Sequence, residues 1–235
     1  MTAISAAEQL DPMKYGNISK AIFISRPNRF IANVRMDSGE IEAVHVKNTG
    51  RCRELLKEGS EVYLSRSDSP GRSTRYDLIA AEKPGSGLFN IDSQAPNAAV
   101  KEWLEKQAYD LVRPEYRYGD SRIDFYMERG SDRYLLEVKG CTLEKNGVGY
   151  FPDAPTERGT KHLRELTASL SDGIIAGIAF VIQAECFSEV LANEETDPAF
   201  AQALREAENA GVDVFFCICR VKPDELFITE VRKKI

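Results

Sequence analysis

A short segment rich in proline and glycine, Lys83 to Gly87, divides the chain into two parts with different patterns. Before it, short runs of alternating apolar and polar residues are separated by turn residues, which is typical of consecutive β-strands. After it, helical periodicity alternates with apolar strand-like runs, which indicates a mixed sheet with helices on its faces. We therefore predict a domain boundary here, with domains at residues 14–84 and 85–235 after an N-terminal extension, residues 1–13.

The first domain is predicted to contain five short strands, at about residues 18–25, 29–36, 41–47, 61–65 and 76–81. Leu55, Leu56 and Gly59 predict a short helix over residues 51–57, between the third and fourth strands. Five strands with one interposed helix favour an oligonucleotide/oligosaccharide-binding (OB) β-barrel.

The second domain is predicted to combine three helices with five strands. The helices are expected at residues 98–108, 157–169 and 198–210, with Asn97 capping the first and Gly211 ending the third. The strands are expected at residues 115–118, 121–127, 134–139, 177–183 and 214–221. The predicted fold class is therefore an N-terminal OB barrel followed by an α/β domain with a mixed central sheet.

The sequence shows no sign of a membrane or secreted protein. The longest apolar run, residues 173–182, is about half as long as a membrane-spanning helix. Residues 1–13 lack the basic start, apolar stretch and cleavage site of a signal peptide. Cys217 and Cys219 lie in an apolar run, so we expect buried thiols and no disulfide framework. We predict a cytoplasmic protein without a membrane partner, and the sequence leaves the oligomeric state open.

The chain is acidic overall, with 31 basic and 37 acidic residues and a net charge of −6. An acidic protein does not bind nucleic acid through its overall charge. The charge is unevenly distributed, however, because the acidic surplus is concentrated in residues 186–230 and residues 14–75 carry a basic surplus. A local basic surface that binds a polyanion is therefore compatible with the sequence.

The strands predicted at residues 121–127 and 134–139 carry charged residues that could form a metal site. Between them, Gly130 and Ser131 suit a hairpin turn, and a turn centred there sets Asp124 directly opposite Glu137. Directly opposed residues have Cβ atoms about 5 Å apart, so the two carboxylates repel unless a cation lies between them. Mg²⁺ favours sites with one or two carboxylates and retained waters. Lys139 lies on the same face as Glu137 and could orient a water or stabilise phosphate charge.

The alternative interpretation of this pattern is an ordinary solvated sheet face. The apolar neighbours Leu136 and Val138 favour a central strand over a wet edge. Glu115, one strand upstream, could add a third carboxylate, although a plain surface glutamate is the simpler interpretation.

The residues around this hairpin resemble two known groups of proteins. Residues 121–125 (SRIDF) and 136–139 (LEVK) resemble the core of the PD-(D/E)xK nuclease superfamily, with Ile123 where the superfamily name has proline. Residues 151–166 (FPDAPTERGTKHLREL) resemble the sugar fermentation stimulation protein A (SfsA) family, and shorter matching stretches extend from about Lys14 onward.

The resemblance implies an OB barrel joined to a restriction-endonuclease-like domain. It also implies that Asp124, Glu137 and Lys139 are catalytic, with Glu115 as a less certain fourth. Asp124 and Glu137 are then the ligands of a divalent cation, either Mg²⁺ or Mn²⁺.

Several basic residues are candidates for contacts with nucleic acid. Thr156 suits a helix N-cap, and Arg158 and Lys161 just after it could receive a phosphate. His162 is assigned with them, although a packed structural role or direct catalysis are alternatives. In the barrel, a phosphate-tracking groove is predicted from arginines, with Phe30 and Tyr63 as stacking candidates. The arginine candidates in the barrel are Arg29, Arg51, Arg53 and Arg72. Solvated charges and barrel-core aromatics are the simpler interpretation.

The function expected from the resemblance is binding of DNA with metal-dependent hydrolysis of phosphodiester bonds, and RNA is a second candidate substrate. No residue pattern indicates base reading, so weak sequence preference is expected. One alternative is a non-enzymatic DNA-binding regulator of sugar metabolism on a nuclease scaffold. A sugar-binding barrel is a further alternative, which rests on fold analogy.

Overall fold

The computed structural model describes residues 13–48, 50–67 and 71–234. Of the predicted extension, residues 1–12 lie outside the described residues, and Met13 donates its backbone N–H to Glu102. The first sheet has the strand order β3-β2-β1-β4-β5-β6, and a parallel pairing of β3 with β5 closes the first five strands into a barrel. Its strands are β1 (Ile18–Asn28), β2 (Ile31–Met36), β3 (Ile41–Val46), β4 (Glu61–Arg66), β5 (Tyr76–Lys83) and β6 (Gly87–Asn90).

The predicted OB barrel is confirmed, with two local corrections. The helix predicted over residues 51–57 is wrong, because Cys52 has a φ of 45° and only one turn forms, closed by Leu56 N–H donating to Cys52 O. The turn between β1 and β2 lies at Arg29 and Phe30, since Asn28 Oδ1 accepts the N–H of Phe30.

The second domain has a six-stranded mixed sheet in the order β15-β14-β12-β9-β8-β7, and a small sheet in the order β10-β11-β13. Its helices are α1 (Ala95–Glu105), α2 (Glu157–Ser169) and α3 (Pro198–Ala210). Its strands are β7 (Leu111–Tyr118), β8 (Ser121–Arg129), β9 (Asp132–Cys141), β10 (Leu143–Lys145), β11 (Val148–Phe151), β12 (Ile175–Ile182), β13 (Val190–Ala192), β14 (Asp213–Lys222) and β15 (Glu225–Lys233).

The bounds of α2 and α3 are those predicted, because the sequence supplies both ends. Thr156 and Asp197 each accept an N–H of the first turn, and Gly211 ends α3 in the left-handed conformation. Helix α1 begins at Ala95 and not at Ala98, because Pro96 suits the first turn. The Asn97 side chain is therefore not the predicted cap.

Helices cover both faces of the six-stranded sheet. Helix α1 packs on one face through Val100 and Leu104, and α2 and α3 pack on the other through residues such as Leu163 and Phe200. Cys217 and Cys219 are buried free thiols, as predicted, and burial raises the pKa of Cys217 to about 12. Among the described residues, no helix is both long enough and apolar enough to cross a membrane.

The two domains share a continuous hydrophobic core. The proline- and glycine-rich segment forms the turn between β5 and β6, so the first sheet continues to Asn90. Phe89 on β6 stacks against Phe187 of the second domain, with ring centroids 6.4 Å apart. The buried Gln183 donates from Nε2 to Asn90 Oδ1 at 3.0 Å and to Asp92 O at 3.1 Å. Apolar packing and buried hydrogen bonds therefore join the domains.

Arg26 on β1 holds the surface next to this junction together. Its Nη1 donates to Gly50 O at 2.9 Å and Arg51 O at 2.8 Å, and its Nη2 donates to Arg29 O and Asn48 O, both at 2.7 Å. One guanidinium thus ties the β1–β2 turn to the segment that follows β3.

Arg26→Met is expected to lower the free energy of unfolding by about 2–4 kcal/mol, because it leaves four carbonyls without their charged donor. Denaturant unfolding measures the change. Arg53→Met is the matched control, since this exposed side chain makes no ion pair within the described ranges, and a change under about 0.5 kcal/mol is expected. Equal losses in the two variants would contradict the assignment.

Candidate active site

The hairpin of β8 and β9 has the predicted register. Phe125 pairs with Leu136 and Arg129 pairs with Asp132 around a turn at Gly130. Continuing this register by one residue sets Asp124 opposite Glu137. β9 lies inside the sheet between β8 and β12, so the two carboxylates belong to central strands and not to a wet edge.

The Asp124 carboxylate accepts hydrogen bonds from two other elements. Its Oδ1 accepts from Asn97 Nδ2 of α1 at 2.7 Å, and its Oδ2 accepts from the backbone N–H of Val138 on β9 at 2.8 Å. Burial, followed by the charge of Glu137, raises the pKa of Asp124 above its usual range. The carboxylate is therefore fixed in orientation, but its negative charge is incompletely compensated.

Glu137 is 2% exposed, and both of its donors act on one oxygen. Its Oε1 accepts from Lys139 Nζ at 2.5 Å and from His162 Nδ1. Arg158 Nε donates to His162 Nε2 at 3.4 Å, which fits the tautomer with the proton on Nδ1. Burial opposes ionisation of Glu137, but the His162 hydrogen bond and the Lys139 charge outweigh it, so its pKa is lowered.

The second oxygen of this glutamate, Oε2, is buried and has no hydrogen-bond partner among the described residues. Buried polar atoms are normally satisfied, so such an atom indicates a site for a further partner or an energetic cost. The unpartnered oxygen and the nearby Asp124 are hard, anionic donors of the kind that a divalent cation binds. The residues present therefore fit a divalent metal with two protein carboxylates.

Glu115 does not join this pair. Its φ of 51° interrupts the pairing of β7 with β8 between Pro114 and Tyr116, and its side chain is 71% exposed and paired with Arg122 at 3.1 Å. In the part of the chain that the structure describes, no three acidic, histidine or cysteine side chains form a metal-holding group. The structure thus brings Asp124, Glu137 and Lys139 together and separates Glu115 from them.

Beside these residues, the start of α2 contributes a basic surface cavity of about 390 Å³. Its lining carries three basic side chains, from Arg122, Arg158 and Lys161, against two acidic ones, from Asp120 and Glu157, and Lys161 is exposed. His162 lies below the surface of this cavity, because it is 3% exposed and its Nδ1 is bound to Glu137. The candidates at the start of α2 therefore lie together, with His162 positioned to orient Glu137.

Three of the four arginines predicted in the barrel as nucleic-acid contacts lie close together. Arg29, Arg51 and Arg53 line an open cleft of about 340 Å³, the arginine cleft. None of their side chains has an ion-pair partner within the described ranges. Arg72 lies elsewhere and forms a bidentate pair with Asp77, with nitrogen–oxygen distances of 3.1 and 2.5 Å. Three of the predicted arginines are thus free to meet an anion, and the fourth is already neutralised.

The contact of Asn97 with Asp124 is not predicted from the sequence, and neither is the contact of His162, a candidate for nucleic-acid binding, with Glu137. Asn97 follows Pro96, which places it in the first turn of α1, with its amide free to reach β8. That proline was the available signal, because proline favours the first helical turn and asparagine three residues into a helix is not a cap. The contact of His162 had no local signal.

The fold and this site define a class of protein: an OB barrel joined to a restriction-endonuclease-like domain that presents two carboxylates and a lysine. Comparison with known proteins agrees. The family model described as the SfsA N-terminal OB domain matches residues 24–90, and the model described as the sugar fermentation stimulation protein RE domain matches residues 94–225. The chain belongs to the sugar fermentation stimulation protein (SfsA) family.

Individual relatives support this assignment over nearly the whole chain. A sugar fermentation stimulation protein homolog of Ruminiclostridium cellulolyticum is 50% identical, over 95% of this chain and 98% of the relative. A homolog of Desulfitobacterium hafniense is 48% identical, over 91% and 94%. The solved structure of Pyrococcus furiosus SfsA in complex with Ca²⁺ superposes with a TM-score of 0.83 at 28% identity, covering 93% of this chain and 96% of that one.

Asp124→Asn is expected to stabilise the protein by roughly 0.5–2 kcal/mol at neutral pH in a chelator, because it removes a buried charge next to Glu137. Both hydrogen bonds are kept when the Asn97 amide flips, since the new Oδ1 then accepts from the Val138 N–H and the new Nδ2 donates to Asn97 Oδ1. A carboxyl with a raised pKa in the folded state costs stability above that pKa and nothing below its ordinary value. The gain should therefore disappear as the pH falls through this interval. Denaturant unfolding from pH 4 to 8 measures it.

Glu137→Gln is the matched variant, and it is expected to lower the free energy of unfolding at neutral pH. The pKa of Glu137 is lowered in the folded protein, so its ionised form stabilises the fold at neutral pH, and this contribution is lost on acidification. A stabilised Glu137→Gln protein would contradict the electrostatic description of the site.

Proposed function

We propose that this protein is a divalent-metal-dependent hydrolase that cleaves phosphodiester bonds of nucleic acid. One observation carries the proposal: the buried Oε2 of Glu137 has no hydrogen-bond partner among the described residues, and the charge of Glu137 acts on the fixed carboxylate of Asp124. A buried pair of carboxylates is costly for stability, so the arrangement is explained best by a cation that binds both.

The metal assignment is supported by the related structure. Pyrococcus furiosus SfsA was solved in complex with Ca²⁺, and Ca²⁺ binds oxygen ligands of the same type as Mg²⁺ and Mn²⁺. We propose Mg²⁺ or Mn²⁺ as the working ion, held by Asp124 and Glu137. When bound, such an ion supplies Lewis-acid activation of water and neutralises phosphate charge.

Each side chain of the site has a distinct role in the proposal. Asn97 and the Val138 N–H orient Asp124, and His162 fixes Glu137 so that its Oε2 stays available. Lys139 Nζ, 15% exposed at the side chain, carries the positive charge nearest to Glu137 and can stabilise an anionic phosphate oxygen.

Nucleic acid is the proposed partner because the basic cavities suit phosphates. Arg158 and Lys161 lie at the start of α2 next to the carboxylates, and the arginine cleft lies on the barrel. Contacts from these basic side chains to phosphate oxygens position the nucleic acid without reading its sequence, so weak sequence preference is proposed. DNA and RNA are both candidates.

Glu137→Ala is expected to abolish divalent metal binding and to reduce cleavage by about 100-fold or more. Lys139→Ala is expected to keep metal binding and lose cleavage to a similar degree, because it removes charge stabilisation and not a ligand. Calorimetric titration with Mg²⁺ and Mn²⁺ measures binding. Cleavage is measured on single- and double-stranded DNA and RNA, with a chelator as the blank.

Glu105→Ala, on the exposed side of α1, is the matched acidic control and should behave as wild type. Glu115→Ala should also retain activity, because its carboxylate pairs with Arg122. If wild type, Glu137→Ala and Lys139→Ala show the same trace cleavage, the protein is not an enzyme of this type. Salt-dependent DNA binding that survives Glu137→Ala would then favour a non-enzymatic regulator.

The double variant Arg51→Ala/Arg53→Ala is expected to weaken nucleic-acid binding about equally for all sequences and to reduce the salt slope of log affinity by about 2. Titrations at several salt concentrations in a chelator measure this. Arg75→Ala is the control, since Arg75 is already paired with Glu42 at 2.9 Å. If the double variant and the Arg75→Ala control show similar salt slopes, the phosphate contacts do not lie in the arginine cleft.

A further inference from the structure

One aromatic side chain stands exposed on the barrel. Phe30 is 45% exposed, and the other large hydrophobic side chains found exposed in the described residues, Ile41, Ile175 and Leu191, are aliphatic. The guanidinium of Arg29 lies 4.9 Å from the Phe30 ring centroid. The exposed part of the ring offers an apolar surface on which another aromatic group can stack.

The backbone of Phe30 is rigidly held. Its N–H donates to Asn28 Oδ1 at 2.8 Å, and its carbonyl accepts from the N–H of Val46 at 2.7 Å. Arg26 holds the adjacent Arg29 carbonyl at 2.7 Å. The ring is therefore presented by a fixed turn and not by a loose loop, which lowers the entropic cost of stacking on it.

Phe30 also lies where two cavities meet. Its neighbour Arg29 lines the arginine cleft, and Phe30 itself lines a cavity of about 160 Å³ together with Lys47 and Gln94, the residue before α1. Asn48 and Ser93 are common to this cavity and to a polar one of about 110 Å³ that reaches Gly140, directly after Lys139. We call this series of cavities the interdomain groove.

We infer that the interdomain groove binds a single-stranded segment of nucleic acid, with one unpaired base stacked on Phe30 and the adjacent phosphates in the arginine cleft. A base inside a duplex has both faces covered by its neighbours, so only an unstacked base can offer a face to the ring. The cavities between the domains are far too small for a duplex, so only a single strand can follow them. The inference rests on the proposed function and deepens it by naming the form of the substrate.

The other aromatic candidate, Tyr63, does not compete for this role. Its side chain is half-buried, and its hydroxyl donates to Glu61 Oε1 at 2.7 Å on the outer side of β4. It lines none of the cavities of the interdomain groove.

The test measures the affinity of the full chain for fluorescent oligonucleotides by anisotropy, in a chelator so that no cleavage occurs. The probes are a single-stranded oligodeoxynucleotide, the single-stranded RNA of the same sequence, and the corresponding DNA duplex. Phe30→Ala is expected to weaken single-strand binding by roughly 5- to 100-fold and to leave duplex binding unchanged. Phe30→Trp is expected to keep the affinity, with its added fluorescence quenched on binding.

Ile41→Ala is the matched control, because it removes an exposed apolar side chain of the same barrel that lines none of these cavities. It should bind every probe as wild type does. Equal losses in Phe30→Ala and Ile41→Ala, equal losses on single strands and duplex, or no quenching of Phe30→Trp would each overturn the inference. Because binding is read without metal, cleavage that depends on Glu137 can still be observed when this inference fails.

Discussion

The carboxylate of Asp124 holds together the elements that form the candidate active site. Through two hydrogen bonds, from Asn97 and from the Val138 N–H, it links the start of α1 to the adjoining strands β8 and β9. The same bonds fix the distance between Asp124 and Glu137. A charge that destabilises the sheet in isolation thus also orders the three elements around it, which is the compromise expected where function and stability compete.

Much of the architecture could be predicted from short-range patterns. The register of β8 and β9 follows from strand alternation around Gly130, because a slip of one residue would move the charged and the apolar side chains of one strand to the opposite faces of the sheet. Helices α2 and α3 were predicted with correct bounds because their caps, Thr156 and Asp197, lie beside them in sequence. Where a neighbouring residue decides the structure, the pattern is sufficient.

The failures involve contacts between distant residues. The helix predicted at residues 51–57 does not form, since Cys52 has a φ of 45°, and the Arg51 N–H donates to Asp153 Oδ2, 102 residues away. The sequence predicts Asn97 as a helix cap, but it lies inside α1 and its side chain donates a hydrogen bond to Asp124 on β8. Glu115 lies at the expected strand position, yet its φ of 51° turns its side chain towards Arg122. No local pattern contains this information, because each outcome depends on the packed fold.

Gly50, in the barrel segment that follows β3, packs closely against Asp153 in the loop that precedes α2. A methyl group on its Cα would lie 2.5 Å from Asp153 Oδ2, and Arg51 N–H donates to that same oxygen. With a shared hydrophobic core as well, the domains have little freedom to hinge. The arginine cleft and the carboxylate pair therefore stay at a constant distance from each other. For the nucleic-acid substrate proposed above, a strand shorter than this separation reaches one of the two sites but not both, which sets a minimum substrate length.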